Sequence, residues 1–262
     1  MKTLSGVLLL SLMLADATLG DIQKRIIGGK DCKDTERLYH VRIVWQEGKY
    51  HYHCGGSLIS DQWVLTAAHC RHGGVKGVDP LVSVVLGEHP ASGPVKAPVK
   101  IKVTDTHAHP DQHDIMLLKL PGSAKTTIDP VKPPDCLTTP GPSQAKQRKT
   151  EDISGQSDTL KCARYEVVSC DKVTELLTFK TCKDEFEERR KKEHLFCTKR
   201  DTVDTSEGDS GGGVVFDGDQ LYGVHTGSSE KACSLPGVVM DVCEYKRWIW
   251  KITGIKTWET KS

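Results

Sequence analysis

Residues 40–70 read HVRIVWQEGKYHYHCGGSLISDQWVLTAAHC. Two short β segments, His40–Trp45 and Ser57–Leu65, are separated by turn residues, and the pair His69-Cys70 follows the second. The same rhythm continues through Leu81–Leu86, Pro98–Val103 and Ile115–Leu120, then Leu160–Val168, Gly213–Phe216 and Gln220–Val224. Gly, Pro, Asp and Ser turns stand between them. Regular short strands with turn signals predict an all-β fold, a barrel or a sandwich. The proline-rich run from Pro130 to Pro142 predicts a link between two halves of similar size. Two stretches break the pattern. Lys172–His194 is polar and highly charged with helical spacing. Tyr245–Trp258 reads as a terminal amphipathic helix, with Trp248, Ile249, Ile252 and Ile255 available for its buried side.

The chain has 262 residues, with 36 basic and 35 acidic side chains and a formal charge of +1. Hydrophobic residues make up 37% and charged residues 27%, which is ordinary globular composition. Near-zero net charge gives no electrostatic reason to expect nucleic acid or an anionic membrane as partner. Lys2 precedes an apolar run, Val7–Leu14, interrupted only by Ser11, with small residues at Ala15, Ala17 and Gly20. Residues 1–20 therefore read as a signal peptide, cut after Ala17 or Gly20. The run falls short of the roughly 20 residues a membrane span needs, and no later segment is long and apolar enough. A secreted, extracellular, monomeric protein with no membrane partner is expected. Ten cysteines behind a leader predict disulfides in an oxidising compartment. The chain contains no asparagine, which excludes N-linked glycosylation. Residues 21–25 end in Lys24-Arg25 before Ile26-Ile27-Gly28-Gly29, the form of a processing site.

Three segments carry the chemistry: Leu65-Thr66-Ala67-Ala68-His69-Cys70, Asp114-Ile115-Met116-Leu117-Leu118 and Glu207-Gly208-Asp209-Ser210-Gly211-Gly212-Gly213. Alone, each is ordinary: a structural histidine, a turn aspartate, a tight glycine loop. Together, in the order His, Asp, Ser and well separated, they resemble the trypsin/chymotrypsin family of secreted serine proteases from Ile26 to about Ile255. The resemblance implies two six-stranded antiparallel β-barrels, here 26–128 and 129–262, with the active site in the cleft between them. It implies a catalytic set of His69, Asp114 and Ser210. A serine hydroxyl is a poor nucleophile at neutral pH and needs a base within hydrogen-bond reach. An imidazole suits that role because it can both take and return a proton near neutrality. The aspartate would fix the tautomer and stabilise the imidazolium. The backbone N–H groups of Gly208 and Ser210 would face the developing oxyanion.

The family's activation step, carried over, is cleavage after Arg25. It would create an ammonium on Ile26 that turns inward to pair with Asp209, making the intact chain a zymogen and residues 21–25 an activation peptide. That pair would raise the amine pKa, so its stabilisation is present at neutral pH and lost as pH rises through the raised value. Six residues before Ser210, Asp204 matches the base of the family's primary pocket, and Gly227 and Gly237 match the glycines that keep its walls open. A buried carboxylate prefers a cationic guest, so cleavage after Arg or Lys is expected. The partners implied are polypeptide substrates and protein protease inhibitors.

The chain also departs from the family. Ser206 stands where a cysteine is usual, four residues before the nucleophile, which leaves Cys233 without its usual mate. His225-Thr226 replaces Ser-Trp, Gly213 replaces a common proline, and Gln156-Ser157 follows Ser154-Gly155 where Trp-Gly is usual. The segment Pro110–Asp114 is about six residues shorter than in trypsins. Pro90 and lysines follow Gly87-Glu88, which argues against the calcium loop of pancreatic trypsins. The resemblance implies the bridges Cys54–Cys70, Cys32–Cys162 and Cys136–Cys243. Cys197 pairs with Cys170 or Cys182, and the other pairs with Cys233 or stays free.

His51, His53 and Cys54 look ligand-like, as do His107, His109, His113 and Asp114. The family match gives Cys54 to a disulfide and Asp114 to catalysis, so no metal and no cofactor are assigned. Arg189-Arg190-Lys191-Lys192 reads as a solvated helix face balanced by Glu185, Glu187 and Glu188, with an exosite for an acidic partner as the alternative. Lys146–Lys149 is a polar loop that the enzyme itself could cut. The competing functional reading is a catalytically weak or inactive trypsin-fold binding protein in extracellular defence or blood-fluid regulation. A trypsin-fold enzyme of other specificity is the third.

Overall fold

Alternation along one strand builds the first half. In β2 (His40–Glu47), Val41, Ile43 and Trp45 are buried while Arg42, Val44 and Gln46 are half-buried, the period-two pattern of a strand with one face on a core. The computed structural model describes residues 29–71, 81–90, 92, 97–122, 124, 126–136, 149–154, 159–199, 208–216, 219–227 and 234–259. The strands in chain order are β1 (Lys30–Asp31), β2, β3 (Tyr50–Ser60), β4 (Trp63–Thr66), β5 (Leu81–Leu86), β6 (Val99–Ile101), β7 (Thr106–Ala108) and β8 (Met116–Lys119). Those of the second half are β9 (Lys149–Ser154), β10 (Lys161–Val168), β11 (Leu195–Lys199), β12 (Gly213–Phe216), β13 (Gln220–Gly227) and β14 (Gly237–Asp241). Among the described residues three α-helices accompany them, α1 (Asp171–Leu176), α2 (Lys180–Lys192) and α3 (Val242–Thr253).

The strands form two curled antiparallel sheets, as expected. The first runs β6-β5-β2-β3-β4-β8-β7, with Ile43 opposite Cys54 on one side and Val84 on the other. The second runs β1-β10-β11-β14-β13-β12-β9, and β9 pairs again with β10. That second pairing closes a ring of six strands, with β1 added against β10. A stretch near the start of the chain thus belongs to the second sheet. Its attachment is covalent as well, because Cys32 bonds to Cys162 on β10.

One apolar cluster joins the halves. Leu58, Leu65 and Ile115–Leu118 of the first sheet share it with Leu221, Val224 and Met240 of the second and with Tyr245, Ile249 and Trp258. Asp241 caps α3 by accepting the Cys243 N–H at 3.1 Å, and Gly254 ends the helix in left-handed geometry at φ +70°. The helix is shorter than the sequence suggests, so its buried stripe is Val242, Tyr245 and Ile249. Ile252 is exposed, Trp248 is half-buried, and Trp258 is buried in a 3-10 turn beyond the cap.

The bridges Cys54–Cys70, Cys32–Cys162 and Cys136–Cys243 are all present. Cys197 bonds to Cys170, which leaves Cys182 exposed with a free thiol; Cys233 lies outside the described residues.

Candidate active site

Three connections bring the chemistry together at the junction of the two sheets. The first is the turn after β4. The Thr66 hydroxyl donates to the Gly55 carbonyl at 2.8 Å, and the Cys54–Cys70 bridge pins the 3-10 turn Ala68–Cys70 to β3. His69 therefore leaves the sheet from a doubly anchored base. The second connection is the short loop from β7 to β8, which ends in Asp114. One Asp114 carboxylate oxygen accepts the His69 backbone N–H at 2.8 Å, and the other lies 2.8 Å from Nδ1 of the same residue. This two-point contact sets the direction of the imidazole. A proton on Nδ1 facing the carboxylate leaves Nε2 as the basic nitrogen.

The third connection is the glycine turn before β12. The Gly55 N–H donates to the Ser210 carbonyl at 2.8 Å, and the Gly211 N–H to the His225 carbonyl at 2.7 Å. The Gly212 carbonyl accepts the His225 N–H at 2.9 Å. Strands of both sheets thus hold the turn. The Ser210 carbonyl lies 3.7 Å from Cys70 Sγ, beside the histidine turn. Glycine is required at 211, where φ is +82° and a Cβ would stand 2.2 Å from the Thr66 hydroxyl. At Gly213, where proline is common in the family, a Cβ would meet Ser57 Oγ at 2.4 Å. Gly208 is buried at φ +99°, and Asp209 is 1% exposed. Among the described residues, no hydrogen bond joins the Ser210 side chain to His69.

A fourth group escaped the sequence reading. Arg189, in the last turn of α2, donates from Nη2 to Asp114 at 3.2 Å and to the Thr226 hydroxyl at 2.9 Å. Its Nε contacts Glu193 at 2.5 Å, and Glu193 in turn accepts the Asp114 N–H at 3.1 Å. An arginine–glutamate pair from the second half therefore grips both the side chain and the backbone of Asp114. The i,i+4 spacing of Arg189 and Glu193 is visible in the sequence, but their target is not. Of the basic run, Arg189 turns to the site. Arg190, Lys191 and Lys192 pair with Asp171, Glu187 and Glu188, as a solvated face does.

Burial alone would push the Asp114 carboxyl upward. The His69 hydrogen bonds and charge, with Arg189 beside it, outweigh that and hold it below the ordinary carboxylate value. His225 is buried, not exposed along the cleft. Burial first, then the nearby His69, pushes its pKa down to about 3, so it stays neutral.

Gly227 and Gly237 end β13 and begin β14, and among the described residues a Cβ at Gly227 would meet only Val238 at 3.8 Å. Arg25, Ile26 and Asp204 lie outside the described residues. Cys54 and Cys70 converge with His69, but their disulfide removes both as metal-binding thiolates. His107 packs against Trp63 at 5.4 Å.

Two antiparallel sheets, with a carboxylate-held imidazole and a serine on a glycine turn at their junction, are the framework of an all-β hydrolase. The Trypsin family model matches residues 26–249. The chain is similar to kallikrein-8 of Homo sapiens, at 28% identity over 250 residues covering 89% of this chain and 88% of that protein. It is similar to trypsin-3 of Salmo salar at 30% over 250 residues, covering 89% and 94%. It is also similar to trypsin V-A of Rattus norvegicus at 31% over 241 residues, covering 87% and 89%. The chain belongs to the trypsin family of serine proteases, whose members act on polypeptides. Among the described residues no helix is long and apolar enough to cross a membrane.

Proposed function

We propose that the protein is a secreted endopeptidase, made as a zymogen, that cleaves peptide bonds after Arg or Lys. The observation that carries this reading is the two-point hold of Asp114 on His69 beside the anchored Ser210 turn. In the reaction, His69 Nε2 takes the Ser210 hydroxyl proton as Oγ attacks the substrate carbonyl carbon. The Gly208 and Ser210 N–H groups receive the oxyanion, and losing one such donor typically costs about 10²–10³ in rate. His69 then passes the proton to the leaving amine and an acyl-serine remains. A water gives its proton to His69 and attacks the ester; the proton returns to Ser210 as the acid product leaves. Asp114 stays ionised throughout and balances the imidazolium.

Activation follows from Asp209. A carboxylate only 1% exposed gains from a cation brought to it, and cleavage after Arg25 would supply one on Ile26. Asp204 would select the basic side chain, with Gly227 and Gly237 leaving room for it. Protein inhibitors that present a basic residue would compete for the same cleft. The test is cleavage after Arg25, followed by titration with a fluorophosphonate and a panel of Arg, Lys, Phe and Ala esters. Labelled Ser210 with turnover of the Arg and Lys esters is expected, and loss of that preference in Asp204→Ser. Unchanged preference in the variant would remove Asp204 from the pocket.

A second reading rests on one observation, the missing hydrogen bond between the Ser210 side chain and His69. It is a trypsin-fold binding protein with weak catalysis. Labelling of Ser210 without turnover of any ester would favour it. Apo sites often tighten only with substrate bound, which is why the first reading leads.

A further inference from the structure

The loop that delivers Asp114 holds a second cluster that catalysis does not use. His109, Asp111 and His113 each place one donor atom so that all three lie within 4.8 Å of one another. The two imidazoles stack, with centroids 4.5 Å apart and planes 18° from parallel. Helix α3 fixes both rings. The Tyr245 hydroxyl is 2.9 Å from His113 Nδ1, and His109 meets Tyr245 and Trp248 edge-on at 5.4 and 5.2 Å. Asp111 is 74% exposed at the side chain and its carboxylate stands 3.9 Å from His109 Nδ1. The sequence suggested a different set. His107 turns away to Trp63 and Asp114 turns to His69, while Asp111 takes the place of both.

Two imidazole nitrogens and one carboxylate oxygen suit a borderline divalent ion. Calcium and magnesium demand a mostly oxygen shell that this set does not supply. We propose that His109, Asp111 and His113 bind a zinc ion, with the remaining position open to water. Zinc bonds of about 2.0–2.2 Å in tetrahedral geometry put neighbouring donors about 3.3 Å apart. Closing the present cluster therefore takes movements of about 1 Å, shared among three side chains and led by the exposed Asp111. The aromatic packing that already orders both rings lowers the entropy lost on binding. His113 immediately precedes Asp114, so bound metal would stiffen the segment that carries the catalytic carboxylate.

Direct titration tests the site without relying on proteolysis. The secreted protein is first treated with iodoacetamide, so that the exposed Cys182 thiol cannot bind metal. Zinc chloride is then titrated calorimetrically in a non-coordinating buffer. One saturable site with Kd below about 10 µM is expected, with no response to calcium. Asp111→Asn and His109→Gln should each weaken binding by about tenfold or more. Asp111 is exposed enough that its variant keeps the fold, so it decides the matter even if His109→Gln does not express. Absence of saturable binding up to millimolar zinc overturns the proposal. So does one-to-one binding that Asp111→Asn leaves unchanged, which would locate the ion elsewhere. None of these outcomes depends on whether Ser210 acts as a nucleophile.

Discussion

The first sheet and helix α2 reach Asp114 from opposite sides and by opposite physics. From the first sheet, Asp114 is followed by Ile115–Leu118, four consecutive residues with no measurable exposure, and His69 hangs from a disulfide-pinned turn. Helix α2 buries none of its residues. It is held by Phe186, half-buried against Val173, Cys197 and Val238, by the ion pairs of its charged face, and by Arg189 and Glu193 on the site. One side is fixed by close packing that salt does not touch. The other combines one apolar anchor with ion pairs, of which those on the exposed helix face are screened by salt.

The most severe way to break this arrangement is at the shared residue. Asp114→Asn removes the anchor of both sides, and kcat on an Arg ester should fall by about 10⁴, the magnitude characteristic of this family's mechanism. The neutral buried imidazoles give the next effect. Burial, with His89 nearby, pushes His40 down to about 3, and burial with His69 and Arg189 nearby does the same to His225 against the opposing charge of Asp114. Both lie below the unfolded value of about 6.5, so the unfolded chain takes up protons first. Stability is full above that value and falls by ~1.4 kcal/mol per pH unit for each imidazole as pH drops toward about 3. Urea midpoints measured between pH 7 and pH 5 should show the decline, and a flat profile would deny that these rings stay neutral. Leu117→Ala, in the dry frame behind Asp114, should cost about 3 kcal/mol in the same urea assay. Arg189→Ala should cost less, up to about tenfold in kcat with little change in KM. A drop equal to that of Asp114→Asn would make the two sides equivalent and end the comparison.

The sequence displayed one side of this contrast and concealed the other. Strands such as β2 and β8 announce themselves because an apolar side chain on every second position, or a solid apolar run, has one place to go. His69, Asp114 and Ser210 were legible because each sits in a short motif. β9 was absent from the expected strands and its first residue, Lys149, was placed in a polar loop, since its KTEDIS sequence carries almost no apolar signal and its pairing with β10 and β12 is tertiary. Ser57–Leu65 read as one segment because apolar residues flank its polar middle on both sides, whereas the exposed turn at Asp61-Gln62 divides it between β3 and β4. Arg189 resembled its basic neighbours because its role depends on where α2 lands across a shortened loop. Local patterns encode elements and motifs, but contacts 75 residues apart, like that of Arg189 with Asp114, are set by the whole fold.

The bond between Cys32 and Cys162 has a consequence for the proposed activation. It moors the start of the chain to the second sheet across 130 residues of sequence. Strand β1 extends that mooring to Lys30, so Ile26 lies four residues from the sheet, about 14 Å at full stretch. An amine freed at Ile26, as proposed, could reach no farther than that length from the second sheet. Its effective concentration near Asp209 would be set by tether length, whatever the dilution of the protein outside.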